Sequence, residues 1–329
     1  MYKKIKLKFP PSLTPPLPPP LLPSLSPPLT PPLPSVLEKI GNSNNKMKIG
    51  FTTSKNSIIE MLEKSDTKYR IVGCYQICMS PLQSFVNGKP FTKNEALKIK
   101  ELKEKHNIDI VVHGKYVYNF CRIDGYKKID VLINELKVSN DINADVIIHQ
   151  GSNIEKHTLD KAIQLYVDSL KQVISRMKIL NLNNRIILEN SAGEGNYIGY
   201  DLDTLSKIYN LFNEEEKTKI GFCIDTCHIF ASGELDMRNP NSVEQFMNRF
   251  DHLIGIDKLK VIHLNDSKTD FLSKVDNHAD IGYGYISKKS MEGFKMLKKI
   301  AIGFNIPLIL ETKCDDISYY EQIKLFIEL

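Results

Sequence analysis

The sequence predicts an α/β protein in which eight strands alternate with helices and close into one parallel barrel. Eight short apolar runs, rich in β-branched residues, are separated by longer lysine-rich amphipathic stretches from Met47 onward. Alternating strands and helices are typical of a parallel sheet, and nearly continuous apolar strands indicate burial on both faces. Eight such units over roughly 280 residues match a (β/α)8 barrel, the TIM-barrel architecture, in number and size.

Each predicted strand is a run of Val, Ile, Leu, Phe or Cys bounded by polar or glycine-containing segments. In chain order the runs are 47-MKIGFTT, 70-RIVGCYQICM, 109-DIVVH, 145-DVIIHQ, 185-RIILEN, 219-KIGFCID, 260-KVIHLND and 306-IPLILET. The segments between them predict helices, as in 93-KNEALKIKELKEK, because their apolar residues recur three and four positions apart. An open doubly wound sheet is the structural alternative, but eight units is long for such a sheet and no GxGxxG motif follows the first run.

Residues 1–46 differ from the rest of the chain in composition and charge. Thirteen of the 17 prolines lie between Pro10 and Pro34, and proline can neither donate to a sheet nor continue a helix. We therefore expect a disordered or polyproline II tail over residues 1–46, followed by one catalytic domain over residues 47–329. Six lysines against only Glu38 give this tail the whole net charge of +5. Such a tail is either a spacer without a ligand or a docking segment for an SH3- or WW-type partner.

Residues 47–329 are electrically neutral, with 38 basic and 38 acidic side chains. This balance excludes nucleic-acid binding by a strongly basic body, so any such contact has to be local or assisted by metal ions. Six scattered cysteines without CxxC pairs, and the lack of a secretory signal, indicate reduced thiols in an intracellular protein. No run is apolar and long enough to span a membrane. We expect a soluble monomer and leave nucleus versus cytoplasm open.

Metal-capable side chains stand at the end of six of the eight predicted strands. They are His113, His149, Glu189, Asp225, His263 and Glu311. Because the C-terminal strand ends of a parallel barrel open on one face, these side chains should converge on one mouth. Two local patterns add His228, one helical turn after Asp225, and the pair Asp276 and His278 in an extended loop. Five histidines and four carboxylates suit zinc, with manganese or iron as competitors, and exceed the needs of two ions.

Several longer stretches around these residues resemble one enzyme family. They are 113-HGKYVYNF, 149-HQGS, 188-LENSAGEGN, 221-GFCIDTCHIFASG, 263-HLNDSK, 276-DNH, 281-IGYGYI and 309-ILET. In these stretches, and in their order across Met47–Leu329, the sequence is similar to the endonuclease IV family of apurinic/apyrimidinic (AP) endonucleases, AP endonuclease family 2. The resemblance implies a TIM barrel with three zinc ions that acts in base excision DNA repair. Such an enzyme hydrolyses the phosphodiester 5′ to an abasic site in double-stranded DNA, leaving a 3′-hydroxyl and a 5′-deoxyribose phosphate.

The resemblance also implies how the nine ligands are shared among the ions. One zinc would be held by His113, His149 and Glu189. The second would be held by Glu189, Asp225, His263 and Glu311, and the third by His228, Asp276 and His278. Glu189, as the bridge between two ions, and Glu311 are then the candidate catalytic residues, because bridged ions can activate water and neutralise phosphate charge.

Contacts with the DNA lesion are expected from three loops. Tyr116 matches a family position, where its ring would stack on an exposed base; a core position is the alternative. After the second strand the chain is shorter than the family pattern, and Leu82 and Gln83 are the candidates for insertion. Gly193 and Gly195 would let the backbone approach a DNA phosphate, with an ordinary turn as the alternative.

Two positions in the loop after the seventh strand complete the candidate site. Asp266 is a candidate hydrogen-bond partner for a ligating histidine, with a capping role as the alternative. The stretch between His263 and His278 lacks a glycine that the family tends to place near Leu272.

A sugar-isomerase-like barrel acting on a small carbohydrate is the alternative enzyme class. It shares the architecture and the strand-end Glu, Asp, His and Glu ligands, but it normally needs one or two divalent ions. This sequence has more ligands than one or two ions require, which argues against the sugar-isomerase alternative. The additional ligands are His113, His149, His228 and the pair at 276–278. A non-enzymatic scaffold that recruits partners through its tail is weaker, because an inert barrel has no need of an intact ligand set.

Overall fold

The computed structural model describes residues 34–41, 45–84, 86 and 88–329. The chain divides into two units, Met1–Pro34 and Ser35–Leu329, and the second of them holds the barrel. Most of the predicted disordered tail, residues 1–33, lies outside the described residues.

Eight parallel strands form the closed barrel. They are β1 (Ile49–Ser54), β2 (Cys74–Cys78), β3 (Asp109–His113), β4 (Asp145–His149), β5 (Ile186–Glu189), β6 (Ile220–Asp225), β7 (Leu259–His263) and β10 (Leu308–Leu310). Around the barrel they follow the order β1-β10-β7-β6-β5-β4-β3-β2. Between β7 and β10, β8 (Asp266–Ser267) and β9 (His278–Ala279) form a small antiparallel ribbon. Each of the eight predicted runs overlaps one barrel strand, so the predicted (β/α)8 TIM barrel is confirmed.

Helices connect successive strands and surround the barrel. They are α1 (Val36–Ile40), α2 (Ile58–Glu63), α3 (Lys93–His106), α4 (Ile129–Asn140), α5 (Leu159–Ile179), α6 (Leu202–Asn210), α7 (Glu214–Lys217), α8 (Thr226–Ser232), α9 (Pro240–Leu253), α10 (Glu292–Gly303) and α11 (Tyr319–Glu328). Reciprocal side-chain to backbone bonds from Thr92 and Glu95 fix the start of α3, as the capping-box pattern of the sequence requires. Within the described part of the chain, no helix combines the length and apolarity needed to cross a membrane.

One layer of side chains fills the lower interior of the barrel. It consists of Cys74, Val111, Ile147, Ile187, Cys223, Val261 and Ile309. Because side chains alternate along a strand, the residue two positions later on each strand faces inward again, one layer nearer the mouth. Those residues are Gln76, His113, His149, Glu189, Asp225, His263 and Glu311. The period of the strands therefore places six predicted ligands in one inward-facing ring.

The predicted boundary of the tail at residue 46 is wrong at its C-terminal end. Val36–Ile40 form a helix with a capping box between Ser35 and Glu38, and the side chain of Val36 is fully buried. The backbone N–H of Val36 donates to Asn248 Oδ1 on α9 at 2.7 Å. The short apolar segment after the last proline therefore belongs to the barrel unit, because it covers an apolar surface of the outer helices.

Candidate metal centre

The nine predicted ligands lie together at the C-terminal mouth of the barrel. Three groups consist of these residues alone, and within each the ligand atoms lie no more than 4.8 Å apart. They are His113 with His149 and Glu189; Glu189 with Asp225, His263 and Glu311; and His228 with Asp276 and His278. A fourth group that meets the same distance combines Asp225 and His278 with Cys227. The first three groups are the sets that the sequence predicts, although ligation itself stays a prediction.

At this mouth, several buried polar atoms form no hydrogen bond with any residue that the structure describes. Glu189, Asp225 and His263 are fully buried. Among the described residues, buried atoms without a hydrogen bond include Nε2 of His113, His228 and His278 and Oε2 of Glu189. An unsatisfied buried polar atom costs about 1–3 kcal/mol. Each of the four lies within 3.5 Å of an oppositely charged or chargeable ligand atom of the same cluster, an arrangement that fits direct coordination of cations.

The carboxylate of Glu189 faces two of the groups at once. Its Oε2 lies 3.5 Å from Nε2 of His113 and 3.6 Å from Nε2 of His149. Its Oε1 lies 2.9 Å from Nδ1 of His263 in the second group. Oε2 therefore faces the first group and Oε1 the second, which is the arrangement that a carboxylate bridge between two cations requires.

Backbone carbonyls fix the ring orientation of two histidines. Nδ1 of His228 donates to the carbonyl of Asn190 at 3.0 Å, and its Nε2 lies 3.1 Å from Oδ2 of Asp276. Nδ1 of His113 donates to the carbonyl of Gly114 at 2.7 Å. A proton held on Nδ1 leaves Nε2 as the electron-pair donor, so both rings are preset for ligation through Nε2.

Two buried amides at the mouth were missed by the sequence analysis. Gln76 donates from Nε2 to Glu311 Oε1 at 2.5 Å and accepts from Nε2 of His263 at 2.8 Å. Asn265 donates to Asp225 Oδ2 at 2.7 Å and accepts from the backbone N–H of Glu311 at 2.9 Å. Each amide thus orients two of the residues of the second group. The inward period of β2 is the sequence signal that could have identified Gln76.

The charges of the cluster favour ionised carboxylates. Burial opposes ionisation of Glu189, but His149 and His263 keep the pKa of its carboxyl well below the usual value. Against the same opposition from burial, His263 holds the pKa of Glu311 at about 2. Burial lowers the pKa of His149 to about 4, so this ring is neutral at physiological pH. Against burial, neighbouring acidic groups raise the pKa of the other four ligand histidines, His113, His228, His263 and His278. Protons on these rings therefore supply positive charge in the place that a divalent cation would take.

Tyr116 lies at the rim of the mouth and not in the core. Its side chain is 49% exposed, and its ring centroid lies 5.2 Å from that of His113 and 5.1 Å from that of His149. Together with Glu194, Tyr197 and other mouth residues it lines a cavity of about 270 Å³. The core alternative for Tyr116 is therefore wrong, and its ring is available to a ligand.

The loop that carries Leu82 and Gln83 is tied to the loop after β3. The backbone N–H of Tyr116 donates to the carbonyl of Leu82 at 2.9 Å. The buried ammonium of Lys115 donates to Ser80 Oγ and to the carbonyl of Val86. The bond from Tyr116 places the loop near the rim, where Gln83 is exposed and Leu82 is half-buried. Their contact with DNA stays a prediction.

The turn after β5 uses both of its predicted glycines in left-handed conformations. The φ angles are +79° at Gly193 and +51° at Gly195. Between them, Oε1 of Glu194 accepts the backbone N–H of Asp276 at 2.5 Å. The turn therefore anchors the loop that carries the third group, while close approach to a phosphate stays a prediction.

Asp266 has the capping role and not the histidine-orienting one. Its buried carboxylate accepts the backbone N–H groups of Gly284, Ile286 and Ser287 at 3.0–3.2 Å. Leu272, where the family tends to have glycine nearby, has a left-handed φ of +64°. That conformation costs an L-residue about 1–2 kcal/mol and gives a physical reason for glycine in this loop.

The fold and the mouth together define a TIM barrel with a ring of metal-capable side chains at its C-terminal face. A family model described as a xylose isomerase-like TIM barrel matches residues 72–328. A protein of Acanthamoeba polyphaga mimivirus named an endonuclease 4 is 38% identical over 258 residues, which cover 75% of this chain and 80% of the relative. A "Probable endonuclease 4" of Halothermothrix orenii is 35% identical over 270 residues, 78% of this chain and 91% of the relative.

The crystal structure of endonuclease IV from Thermus thermophilus superimposes with a TM-score of 0.67 at 20% identity, over 85% of this chain and 99% of that one. This likeness supports the fold, and the curated relatives support the family. The chain belongs to the endonuclease IV family, and the predicted family and enzyme class are confirmed.

Proposed function

We propose that this chain is a zinc-dependent AP endonuclease that hydrolyses the phosphodiester on the 5′ side of an abasic site in double-stranded DNA. The observation that carries the proposal is the convergence of nine ligand residues, in three groups, at the mouth of an endonuclease IV barrel, where four of their buried atoms lack a hydrogen bond to any described residue. Family membership supplies the class of reaction, and the donor set supplies the reason for metal dependence.

Three zinc ions suit the donor set, because mixed imidazole and carboxylate ligands in groups of three or four are typical of zinc. His113, His149 and Glu189 would hold one ion. Glu189, Asp225, His263 and Glu311 would hold the second, and His228, Asp276 and His278 the third. When bound, the ions would supply Lewis acidity toward the phosphate and lower the pKa of a water nucleophile.

The protein's own contribution is to fix these ligands and to exclude alternatives. Gln76 and Asn265 hold the carboxylates of Glu311 and Asp225 in place, so that little reorganisation is needed when charge develops on the phosphate. Among the described residues, no lysine lines the mouth cavity, and Lys115 is turned toward Ser80 and Val86. A Schiff-base lyase requires an available amine, so hydrolysis is favoured over elimination.

The cavity also gives a physical basis for choosing abasic DNA. Its volume of about 270 Å³ accommodates a small group such as a deoxyribose turned out of the helix. Turning out an intact nucleotide costs unstacking energy, and a site without a base avoids much of that cost. Tyr116, Leu82 and Gln83 are proposed to fill the gap left in the duplex, and Gly193 and Gly195 to approach the backbone.

Product analysis on a duplex with one abasic site tests the proposal. We expect a nick 5′ to the lesion that a polymerase extends directly, loss of incision on chelation, and better recovery with zinc than with magnesium. Borohydride trapping of a protein–DNA adduct would identify a lyase, and equal cutting of an intact duplex would identify a general nuclease. Turnover of a small ketose without incision of DNA would establish the sugar-isomerase alternative.

A further inference from the structure

A second surface adjoins the mouth on the outer side of the β8–β9 ribbon. We propose that this surface, formed by Lys268, Tyr283, Tyr285, Lys288 and Lys289 and called here the flank surface, binds phosphates of the DNA beyond the lesion. The proposal rests on the proposed function, because it extends the DNA path from that site. These residues, with Arg238 and Asp270, line a depression of about 760 Å³.

The flank surface is joined to the third ligand group by direct backbone pairing. Ser267 pairs with His278 across the ribbon, and the N–H of Lys268 donates to the carbonyl of Asn277 at 2.8 Å. The N–H of Tyr285 donates to the carbonyl of Ser267 at 2.7 Å. The surface therefore begins beside Asp276 and His278. A duplex seated over the mouth and running toward this side has to pass over it.

A buried carboxylate makes the flank surface rigid. Asp266 accepts the N–H groups of Gly284, Ile286 and Ser287, and also the hydroxyl of Ser287. A Cβ at Gly284 would lie 2.2 Å from Oδ1 of Asp266, so the turn closes this tightly only with glycine. The two tyrosines and the lysine pair are thereby held on one preformed turn, which lowers the entropy cost of binding.

The charges of this turn are available to a ligand. Lys288 and Lys289 are exposed, and neither forms a salt bridge with any residue that the structure describes. The other cations are already paired, Lys268 with Asp315 and Arg238 with Asp236 and Asp270. Tyr283 and Tyr285 are 41% and 50% exposed. Free lysines beside exposed tyrosines are the side chains that contact phosphate and sugar oxygens in DNA complexes.

Because the barrel as a whole is neutral, the local positive charge of Lys288 and Lys289 would contribute to DNA binding. Residues 47–329 have no net charge, so attraction of the phosphate backbone has to come from particular places. The flank surface supplies two positive charges without a salt bridge to any described residue, next to the mouth where the DNA is proposed to be cut. Continuity with that site and charge complementarity both favour DNA over a protein partner as its occupant.

The test compares Lys288→Ala/Lys289→Ala with the parent in binding to a long duplex already nicked 5′ to its abasic site, so that incision does not interfere. Loss of two phosphate contacts should flatten the slope of log Kd against log salt by about 1.8. The Kd should rise several-fold at low salt, and the difference should vanish on the shortest duplex that still binds. Lys105→Ala/Lys137→Ala, at the opposite end of the barrel on α3 and α4, removes the same charge and should leave the slope unchanged.

An unchanged slope in the Lys288/Lys289 variant would overturn the flank surface even if the parent incises abasic DNA normally. Equal flattening in both double variants would also overturn it, because the effect would then be one of net charge. Failure of the parent to incise abasic DNA would refute the proposed function instead, so the two failures are distinguishable.

Discussion

Gln76 and His263 meet inside the barrel mouth, where Nε2 of His263 donates to Oε1 of Gln76 at 2.8 Å. The assignment of the amide is fixed by its other end, because its nitrogen faces Oε1 of Glu311, which can only accept. Nδ1 of His263 is left facing Glu189 and Glu311, 2.9 Å from each carboxylate. The amide of Gln76 thus holds the proton of His263 on Nε2 and leaves Nδ1 as the nitrogen that could bind a metal ion.

Gln76→Leu should weaken metal binding by the second group with little change in fold. Removing the bond that orients a ligating histidine typically costs about 10–100-fold in metal affinity or activity. Competition with a calibrated chelator would measure the affinity, and circular dichroism would monitor the fold. Thr52→Val is the matched control, since it removes only the other hydrogen bond of the Gln76 amide, at 3.1 Å. Equal affinities in the parent and Gln76→Leu would show that Gln76 does not position the site.

Glu189→Gln should dismantle the junction between the first two groups. The amide keeps the shape of the side chain but lacks the charge that holds two cations close together. We expect loss of metal from both groups and at least about a hundredfold lower incision rate. Elemental analysis of the purified variant measures the metal content. Glu194→Gln, which can still accept the N–H of Asp276, should retain the metal content of the parent. Full metal occupancy in Glu189→Gln would exclude the bridging role.

Much of this site could be predicted from the sequence because the strand period and the barrel topology leave little freedom. Once eight parallel runs are identified, the inward positions at their C-terminal ends converge, and His113, Glu189 and His263 follow without further information. The same rule applied to β2 gives Gln76, but an amide is not a usual metal ligand, and Gln76 was therefore not predicted as a site residue. Asn265 lies beyond a strand end, where only tertiary structure decides which way a side chain faces.

Other features depend on packing that no periodicity reveals. Val36 follows a proline-rich segment, and five residues are too few for a convincing helical pattern. The left-handed backbone of Leu272 is imposed by α8, because its N–H donates to the carbonyl of Phe230 and its side chain covers Gly233. The sequence shows only the absence of a family glycine near Leu272 and predicts no conformation from it.

Gly233→Ala should destabilise the protein through both its backbone and its neighbour. Gly233 has φ +85° at the end of α8, and an added Cβ would lie 2.2 Å from Cδ1 of Leu272. The left-handed conformation alone costs an alanine about 1–2 kcal/mol. Thermal unfolding of Gly233→Ala, Leu272→Gly and the double variant separates the two contributions. Leu272→Gly removes the side chain that the new Cβ would meet, so the double variant should lose less stability than the sum of the two single variants. Losses that add strictly would exclude the clash.

Truncations at two positions should distinguish the tail from the barrel. Removal of residues 1–33 should leave the melting temperature and the catalytic constant unchanged, although loss of four lysines can weaken DNA binding at low salt. Removal of residues 1–46 also deletes α1 and exposes the surface that Val36 covers, at a cost of about 1.5–3 kcal/mol for one buried valine. A lower melting temperature only in the longer truncation is the expected result. Equal stability of both truncated proteins would exclude α1 from the folded unit.

Lys115→Met/Glu135→Gln should free the loop that carries Leu82 and Gln83 while keeping the barrel stable. Lys115 is buried, donates to Ser80 and Val86, and lies 3.8 Å from the buried carboxylate of Glu135. Lys115→Met alone leaves that carboxylate without its cation, which costs about 3–5 kcal/mol, whereas neutralising both partners removes the charge imbalance. In the double variant we expect a recovered melting temperature, faster hydrogen exchange around residues 80–84 and weaker binding of abasic duplex. Glu135→Gln alone is the control that keeps the loop anchored. Unaltered exchange in the double variant would show that Lys115 neutralises Glu135 without holding the loop.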